Sequence, residues 1–417
     1  MRIGIFTEAY PPMINGVSTS IINLQSALEK KGHEVFIVTV NNDRLKYDYE
    51  YEDRILRLPS FPIHSYDYRL TSIYPIKAVN IIKKMNLDVI HTNVEATIGM
   101  FARFVSKQLD IPLVHTYHTM WKDYTHYVTK GKKILDVPAK EAVKYLSILF
   151  GDKTATELIV PSRKIYNLFK DKYKVDKNIH IVPTGLDVEN FYKEKFKYSE
   201  LKNYKKTLGI EKKDIVIITV SRLAKEKSVD FLIRNHKEIV KKYPNAKLLI
   251  VGDGPSKEEL MDLVLELNLE DNVVFAGKVP LDEVKYYYQL ADVFTTASRT
   301  ETQGLTVIEA MASSLPIVAV NDDSFIDSVI DDLNGYLFDT DEEYVNAMMK
   351  ILGDSTLMER LSNQSRVLSD SKSSSYFADR VLHVYEIAIK DYNDKHKNII
   401  NKIKRTIERK KSIKCQK

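Results

Sequence analysis

The chain has 417 residues, 44% of them hydrophobic, which is enough for two domains that each bury a sizeable core. It has no apolar run near the ~20 residues that a membrane-spanning helix needs, so we expect a cytosolic protein. A single cysteine, Cys415, excludes an internal disulfide framework and any cysteine-based metal cluster.

The charge is distributed unevenly along the chain. From Lys395 to the end, ten Lys or Arg residues stand against one acidic residue, Glu408, which gives this tail a net charge of +9. The rest of the chain therefore carries −4 of the total of +5. A nearly neutral body with a basic end indicates an anionic partner, either a membrane surface or a nucleic acid.

The first half of the chain alternates short apolar runs with helical patterns. The opening run RIGIF predicts a buried strand, and a Pro/Gly loop and a helix follow before the next strand, VFIVTV. Gly16 lies in that loop, outside any GxGxxG motif. Either a close backbone approach to a phosphate or a plain turn would explain Asn15-Gly16, and both interpretations stay open.

The second half repeats this rhythm. Six further strands are predicted, beginning with DIVIITV and ending with GYLF, and a long helical pattern begins at Ser373. Alternation of strands and helices predicts an α/β fold with doubly wound parallel sheets. We expect a first domain over 1–195, a second over 196–372, a helix over 373–394 and the basic tail over 395–417.

Residues 299–314, RTETQGLTVIEAMASS, combine two carboxylates, a glycine turn and a predicted helix start after the strand-like run ADVFTTAS. The free N–H groups of a helix start suit an anion. Glu301 and Glu309 suit sugar hydroxyls, which need acceptors. The stretch therefore predicts a ligand with both a phosphate and a polyol, although carboxylates that serve the helix dipole or a solvated face would give the same pattern.

Two cations follow the first strand of the second domain. Arg222 and Lys227 lie in SRLAKEK, where a guanidinium and an ammonium group are suited to a diphosphate, although surface charges would have the same sequence. Further along, the backbone of Lys278-Val279 in GKVP could contact a base edge or form a simple turn.

His118 lies in the polar, aromatic segment HTYHTMWKDYTHYVTKGKK. It follows a predicted strand end and could place an imidazole in an interdomain cleft. The amphipathic run AKEAVKYLSILF comes after this segment, with Val143, Leu146, Leu149 and Phe150 on its apolar side. Residues 130–150 therefore predict either a helix packed in the domain or one that docks on a membrane, helped by Lys130, Lys132 and Lys133.

Together these residues resemble the retaining family-four glycosyltransferases of GT-B fold over nearly the whole chain. The resemblance implies two Rossmann-like doubly wound parallel-sheet domains, an interdomain cleft and a C-terminal helix that crosses back to the first domain. Within the family, TEAYPPMINGVSTSI and HTYHTMWKDYTHYV are most similar to the bacterial diacylglycerol glucosyltransferases, while phosphatidylinositol mannosyltransferases share much of the same core.

The resemblance also implies roles for individual residues. It implies catalytic roles for His118, which would contact a sugar hydroxyl, and for Glu301, Arg222 and Lys227. Nucleotide-sugar binding involves Gly16, Arg222, Lys227, Lys278, Val279, Gly304, Leu305, Thr306 and Glu309, with the cations on the diphosphate, Lys278-Val279 at the base and Glu309 at the ribose. The resemblance implies no tightly bound metal, since in this fold the cations take its place.

The implied enzyme is a retaining hexosyltransferase, attached peripherally to the inner face of the cell membrane. It would transfer a hexose from a UDP-sugar, with UDP-glucose favoured and galactose or another hexose left open, to the free hydroxyl of 1,2-diacylglycerol in an anionic membrane, with no nucleic acid as partner. Another lipid, or a soluble or cell-wall sugar, remains the alternative acceptor. A binding protein without turnover and a nucleic-acid-binding protein are the rival classes, and oligomeric state is left open.

Overall fold

The computed structural model describes residues 1–13, 15–41, 49–62, 69–72, 75–118 and 133–414, apart from the side chains of 133–137, 139, 152 and 396–414. The chain divides into two compact units. Unit 1 comprises Met1–Pro161, Ile165–Val182 and Phe377–Lys417, and unit 2 comprises Ser162–Lys164 and Pro183–Tyr376. The boundary near residue 182 precedes the predicted one at 195.

Unit 1 contains an eight-stranded sheet in the order β10-β9-β8-β7-β1-β2-β4-β3, and a separate antiparallel pair, β5-β6. All neighbours in the large sheet are parallel except β3 and β4. The strands are β1 Arg2–Phe6, β2 Glu34–Val40, β3 Glu50–Glu52, β4 Ile55–Leu58, β5 Ser60–Pro62, β6 Arg69–Thr71, β7 Val89–Thr92, β8 Leu113–Thr116, β9 Glu157–Val160 and β10 Ile179–Ile181.

Helices cover this sheet, as expected for parallel strands buried on both faces. Among the described residues these helices are α1 Gly16–Lys30, α2 Ile76–Met85, α3 Thr97–Leu109, α4 Lys133–Ile148 and α5 Arg163–Asn167. Two π-helical turns, Leu149–Lys153 and Leu168–Lys172, continue α4 and α5. Asn15 starts α1 with a capping box, in which its side chain accepts from the Ser18 backbone N–H.

Unit 2 contains a six-stranded, wholly parallel sheet in the order β13-β12-β11-β14-β15-β16. Its strands are rich in branched apolar residues, and its central strands are buried. They are β11 Ile215–Val220, β12 Ala246–Val251, β13 Val273–Gly277, β14 Val293–Thr296, β15 Ile317–Val320 and β16 Gly335–Phe338. The strand order reverses between β11 and β14, which is where doubly wound sheets bind ligands.

The helices of unit 2 lie between these strands and after them. They are α6 Tyr198–Thr207, α7 Val229–Lys242, α8 Lys257–Leu267, α9 Val284–Tyr288, α10 Leu305–Ala312, α11 Asp341–Gly353 and α12 Ser355–Ser369. Four 3₁₀ turns, Val188–Phe191, Lys193–Lys195, Lys225–Lys227 and Asp370–Lys372, complete the unit.

The last helix, α13 (Ser374–Lys414), belongs to unit 1 from Phe377 onwards. Phe377, Val381 and Tyr385 on this helix are buried in one core cluster with β1 and α1. The helix continues through the basic stretch from Lys395, where the sequence suggested a separate tail, and Cys415 lies outside the described residues. Within the described ranges, no helix combines the length and apolarity that crossing a bilayer requires.

Candidate functional site

The carboxyl ends of β11 and β14 bring together two of the charged residues of unit 2 that the sequence singled out, Lys227 and Glu301. Lys227 Nζ donates to Glu301 Oε1 at 2.5 Å, and Ser298 Oγ donates to the same oxygen at 3.1 Å. The side chains of Lys227 and Glu301 are 14% and 25% exposed. The cation and the carboxylate are therefore partly shielded from solvent, where charges interact more strongly than on an open surface.

Arg222 lies in the loop after β11 and is exposed. The backbone of Gly252 and Gly254, in the loop after β12, holds this loop: a Cβ at Gly252 would lie 1.8 Å from the Ser221 carbonyl oxygen, and one at Gly254 would lie 2.3 Å from that of Leu223. The Leu223 N–H also donates to the Asp253 carbonyl at 3.0 Å. The GDGP turn thus fixes the backbone from which the Arg222 guanidinium projects.

The helix α10 begins beside this ion pair. Gly304 has φ +77°, and a Cβ there would lie 2.4 Å from a ring carbon of Phe325, so only glycine fits. No side chain caps the helix start. The N–H groups of Leu305 and Thr306, in the first turn, carry the partial positive charge that attracts an anionic ligand.

Glu309 lies one turn further along α10. Its Oε2 accepts a hydrogen bond from the Tyr288 hydroxyl at 2.6 Å. Burial of the carboxyl group raises the pKa of Glu309 to about 7, although the Tyr288 hydrogen bond opposes the rise. Near neutral pH the group is therefore divided between a charged acceptor and a neutral acid that can also donate.

The predicted base contact lies at the edge of the same sheet. Lys278 and Val279 follow β13, with Lys278 exposed and Val279 half-buried. Gly277 has φ +75°, and its carbonyl accepts from the Gly252 N–H at 2.9 Å. The loops after β11, β12 and β13 are thus linked by backbone hydrogen bonds, and these two residues lie in the third of them.

Gly16 and His118 belong to unit 1. Gly16 is the first residue of α1, and a Cβ there would have no protein atom within 4 Å. Packing within the described protein therefore does not require glycine at this position. Asn15 caps the helix, and Gly16 does not have a positive φ. A regular helix start would show both features.

His118 follows β8 and is hydrogen-bonded through Nε2 to Asn93 Oδ1 at 2.8 Å. Burial lowers the pKa of His118 to about 4, with Glu95 opposing and His115 adding to the effect. The imidazole is therefore neutral at physiological pH, and Nε2 carries the proton donated to Asn93. The second ring nitrogen, Nδ1, is then a hydrogen-bond acceptor.

Sequence reasoning missed the polar groups around this histidine. Glu8, after β1, is 3% exposed, and its Oε1 accepts from the Ile98 backbone N–H at 2.8 Å. Burial raises the pKa of Glu8 to about 7, and the Glu95 carboxylate adds to the rise. His115 Nε2 lies 3.4 Å from Glu95 Oε1. The available signal was that all of these residues lie in or directly after parallel strands.

The proposed membrane-contact region is described only in part. Residues 119–132, including Lys130 and Lys132, lie outside the described residues, as does the side chain of Lys133. On α4, Tyr145 and Leu146 are 67% and 42% exposed. Phe150 was expected on the same apolar face, but it is buried beneath the Arg103 guanidinium, 4.5 Å from the ring centre, and belongs to the interior.

Two known protein families match this chain, one in each half. The family described as "Glycosyltransferase Family 4" matches residues 14–190, and the one described as "Glycosyl transferases group 1" matches residues 201–368. Among solved structures, sucrose-phosphate synthase from Thermosynechococcus elongatus has a TM-score of 0.73 at 20% identity, covering 92% of this chain and 98% of that one. Anabaena Alr3699/HepE, solved with UDP and glucose, has a TM-score of 0.67 at 16% identity, covering 93% and 99%.

Two curated relatives are considerably more similar. The alpha-monoglucosyldiacylglycerol synthase of Acholeplasma laidlawii is 37% identical over 404 residues, covering 95% of this chain and 100% of that protein. The enzyme of the same name from Streptococcus pneumoniae is 33% identical over 391 residues, covering 92% and 86%. This similarity and the two parallel-sheet units confirm the predicted fold and family: the chain belongs to the family-four glycosyltransferases of GT-B fold and is a hexosyltransferase.

Proposed function

We propose that the enzyme transfers glucose from UDP-glucose to the free hydroxyl of 1,2-diacylglycerol, with retention, to give an α-glucosyl-diacylglycerol. The observation that carries the proposal is the set of charged residues where the strand order of unit 2 reverses, with Lys227 and Glu301 2.5 Å apart beside an uncapped helix start. The acceptor is inferred from the two relatives named as alpha-monoglucosyldiacylglycerol synthases.

In this proposal the donor diphosphate is bound by Arg222, Lys227 and the first N–H groups of α10. Cleavage of the bond between the sugar C1 and the phosphate oxygen develops negative charge on the diphosphate. Fixed positive groups that face this oxygen stabilise the transition state more than the ground state. The exposed guanidinium of Arg222 can contact the diphosphate as a fork, while Lys227 acts as a point charge.

Glu301 would accept hydrogen bonds from hydroxyls of the donor sugar. Its ion pair with Lys227 orients the carboxylate and leaves no isolated anion in a partly buried position. Glu309 would bind the ribose hydroxyls, with Tyr288 fixing one of its oxygens. His118, neutral because burial lowers its pKa to about 4, would accept from a sugar hydroxyl.

Retention is proposed to follow from a substitution on one face of the sugar. The bond from C1 to the leaving phosphate oxygen breaks, and a bond from C1 to the acceptor oxygen forms on the same side. The proton of the acceptor hydroxyl passes to the departing phosphate oxygen, so UDP leaves with that proton. The side chains supply positioning and charge stabilisation.

The acceptor lipid requires contact with a bilayer, and two regions of unit 1 support a peripheral attachment to an anionic membrane. The exposed Tyr145 and Leu146 on α4 offer apolar contacts. The helix α13 carries the basic stretch that follows Asp394. Each basic residue close to anionic lipid contributes about 1 kcal/mol, so several of them give reversible, salt-sensitive binding.

The activity test uses the full chain with several UDP-hexoses and mixed anionic liposomes that contain diacylglycerol. We expect a glycolipid from UDP-glucose, with an α-linkage established by the anomeric coupling constant in the NMR spectrum of the product. A product from soluble sugar acceptors alone, or a β-linkage, would contradict the proposal. Phosphatidylinositol in parallel liposomes tests the alternative lipid acceptor.

A sedimentation assay with the same liposomes tests the electrostatic attachment. We expect less binding after removal of three positive charges from α13, by Lys402→Gln, Lys404→Gln and Arg405→Gln. A matched control removes the same charge from exposed positions of unit 2, by Lys212→Gln, Lys225→Gln and Lys237→Gln. Equal loss in both variants, or binding that ignores salt and anionic lipid, would rule out this role of α13.

A further inference from the structure

The loop that carries Glu301 is held by distant parts of the chain. The polypeptide passes between the two units near residues 161–165, near 182–183 and near 376–377. In unit 2, segments at the first two of these passages make hydrogen bonds to residues 299–303. A connection between β14 and α10 needs no such partners to close, so these contacts are a specific feature of the loop.

Gln303 makes the central contact. Its side chain is 6% exposed, and both ends of its amide are used: Nε2 donates to the Thr184 carbonyl at 2.9 Å, and Oε1 accepts from the Thr184 N–H at 2.7 Å. Thr184 itself is 5% exposed. The side chain thus pairs with the backbone of Thr184 as a neighbouring strand would, and each of these buried polar groups has its partner.

The first passage holds the other end of the loop. Ser162 Oγ donates to the Thr302 carbonyl. Lys164 Nζ donates to the Arg299 carbonyl at 2.6 Å and to Asp322 Oδ1 at 2.8 Å. The side chains of Lys164 and Asp322 are 16% and 13% exposed, so this is a partly buried, charge-assisted contact and stronger than a surface pair.

The third passage is joined to the second. The Leu186 N–H donates to the Lys372 carbonyl at 3.0 Å, and the Ser374 N–H donates to the Leu186 carbonyl at 2.9 Å. Residues 184–186 therefore bond to the Glu301 loop on one side and to the start of α13 on the other. All three segments at which the chain changes unit belong to one hydrogen-bonded assembly around this loop.

We propose that Gln303 is a positioning residue for sugar transfer: by pairing with Thr184 it fixes the loop that presents Glu301 and the start of α10 to the donor sugar. The inference rests on the proposed function, in which Glu301 contacts that sugar. Gln303 is separated from Glu301 by one residue and precedes Gly304, so a shift of its backbone moves both groups. A displacement of about 1 Å in a positioning group can lower turnover by about 100-fold.

The test compares Gln303→Ala with Asn272→Ala in the full chain. Asn272 is a matched control because it is 9% exposed and its amide bridges two backbone carbonyls, those of Pro244 and Ala246, at the amino end of the same sheet. For each variant we would measure kcat and KM for UDP-glucose with diacylglycerol liposomes, the affinity for UDP by calorimetry, and Tm.

For Gln303→Ala we expect kcat to fall by about 10- to 100-fold while UDP affinity changes less than about threefold, because the diphosphate-binding cations remain in place. For Asn272→Ala we expect a comparable loss of Tm with kcat within about twofold of the wild type. A kcat of Gln303→Ala within threefold of the wild type, or activity that simply follows Tm in both variants, would overturn the proposal.

Ser162→Ala provides a second, milder variant in case Gln303→Ala does not fold. It removes one hydrogen bond to the same loop without touching the glutamine, and we expect kcat to fall by about three- to tenfold with UDP affinity retained. An unchanged kcat would count against the role of the loop contacts. If the wild type transfers glucose to no lipid, the proposed function fails before any variant is compared.

Discussion

The carboxyl ends of the two sheets carry different kinds of polar residues. In unit 2, apart from Glu309, they carry charged groups in contact with solvent or with each other, namely Arg222 and the pair Lys227–Glu301. In unit 1 they carry the buried Glu8 and the half-buried His118, whose pKa values are displaced toward the neutral form, raised for Glu8 and lowered for His118. The first arrangement suits an anionic ligand, whereas the second suits neutral hydroxyl groups that need hydrogen bonds without charge.

This difference also explains which residues could be found from the sequence. A basic residue directly after a predicted buried strand is conspicuous in a sequence, because the apolar pattern around it gives it no structural role. A Glu or His of this kind has a shifted pKa because of its burial and its partners on other strands. Only the fold shows that burial and those partners. The following predictions test the contrast between a charged edge and a neutral one.

The largest expected effect is at the charged edge. Lys227→Ala removes a partly buried ammonium group from the proposed diphosphate site and leaves Glu301 without its partner, so we expect kcat to fall by about 100- to 1,000-fold. Lys225→Ala is the control, since Lys225 lies in the same 3₁₀ turn with its side chain 81% exposed. Steady-state kinetics measure kcat of both variants. Similar kcat values would contradict a role for Lys227 that Lys225 does not share.

A smaller loss is expected at the neutral edge. His118→Ala removes a neutral acceptor proposed to bind a sugar hydroxyl, and we expect kcat to fall by about 10- to 100-fold. Because burial lowers the pKa of His118 to about 4, the wild-type rate should show no step from this group between pH 5.5 and 8.

His180→Ala is the control for His118→Ala. This histidine also belongs to unit 1 and is paired through Nε2 with Glu157 at 2.8 Å, but it lies within the edge strand β10. We expect its replacement to leave kcat nearly unchanged. A step in the wild-type rate near pH 6.5 that disappears in His118→Ala would show that the histidine is not held neutral.

The third prediction concerns stability and pH. Burial raises the pKa of Glu8 from its ordinary 4.5 to about 7, so the folded protein binds this proton more tightly than the unfolded chain does. The resulting stability is present below pH 4.5 and is lost as the pH rises to about 7. Glu8→Gln should remove a penalty of up to about 3 kcal/mol at pH 8 but less than about 1 kcal/mol at pH 5.

Thermal unfolding at the two pH values measures this effect. We expect Glu8→Gln to raise Tm by a few degrees at pH 8 and by much less at pH 5. Glu52→Gln, at an exposed position, should change Tm by the same small amount at both pH values. A pH-independent difference for Glu8→Gln would mean that Glu8 is ionised in the folded protein throughout this range.

The smallest effect is expected where α13 meets the neutral edge. The Tyr385 hydroxyl is hydrogen-bonded to His91 Nδ1 at 2.7 Å, and both side chains are buried. Tyr385→Phe should lower the free energy of unfolding by about 1 kcal/mol, seen as a Tm lower by roughly 2 to 4 °C. Tyr198→Phe, at a position 71% exposed, should leave Tm unchanged. Equal shifts of Tm in the two variants would show that the buried hydrogen bond does not contribute to stability.

The fold could be predicted to a large extent from the sequence. Runs such as IVIITV and IVAV have the branched apolar composition of buried parallel strands, and both form such strands. The helix expected after Gly304 is present as α10. Strands β3, β4, β5 and β6 were missed, because each has only three or four residues and lacks a continuous buried apolar run.

The candidate site could be predicted only where a residue type signals its use. Arg222, Lys227 and Glu301 were predicted as site residues from their type and position, and the last two form an ion pair. The partner of Glu309 was missed because Tyr288 lies on α9, and packing alone brings it to the carboxylate. Gln303 was read as part of a motif, but its partner Thr184 is 119 positions away, a distance that local pattern reasoning does not span.

The end of the last helix was missed for a different reason. The sequence from Lys395 was interpreted by its charge, and the helix was expected to stop at Asp394. Ile400, Ile403 and Ile407 recur at the three- and four-residue spacing of a helix and were the available signal. The helix in fact continues to Lys414.

Because this helix is continuous, the angular positions of the basic residues around its axis are set relative to the body of unit 1. Successive residues of an α-helix are turned by about 100° and advanced by about 1.5 Å. Inserting one alanine after Asp394 would therefore rotate every later lysine and arginine about the axis by ~100° while keeping the number of charged residues, the net charge and the Phe377–Tyr385 packing unchanged. Any process that depends on which way these charges face would respond to that single residue, whereas one that depends only on their number would not.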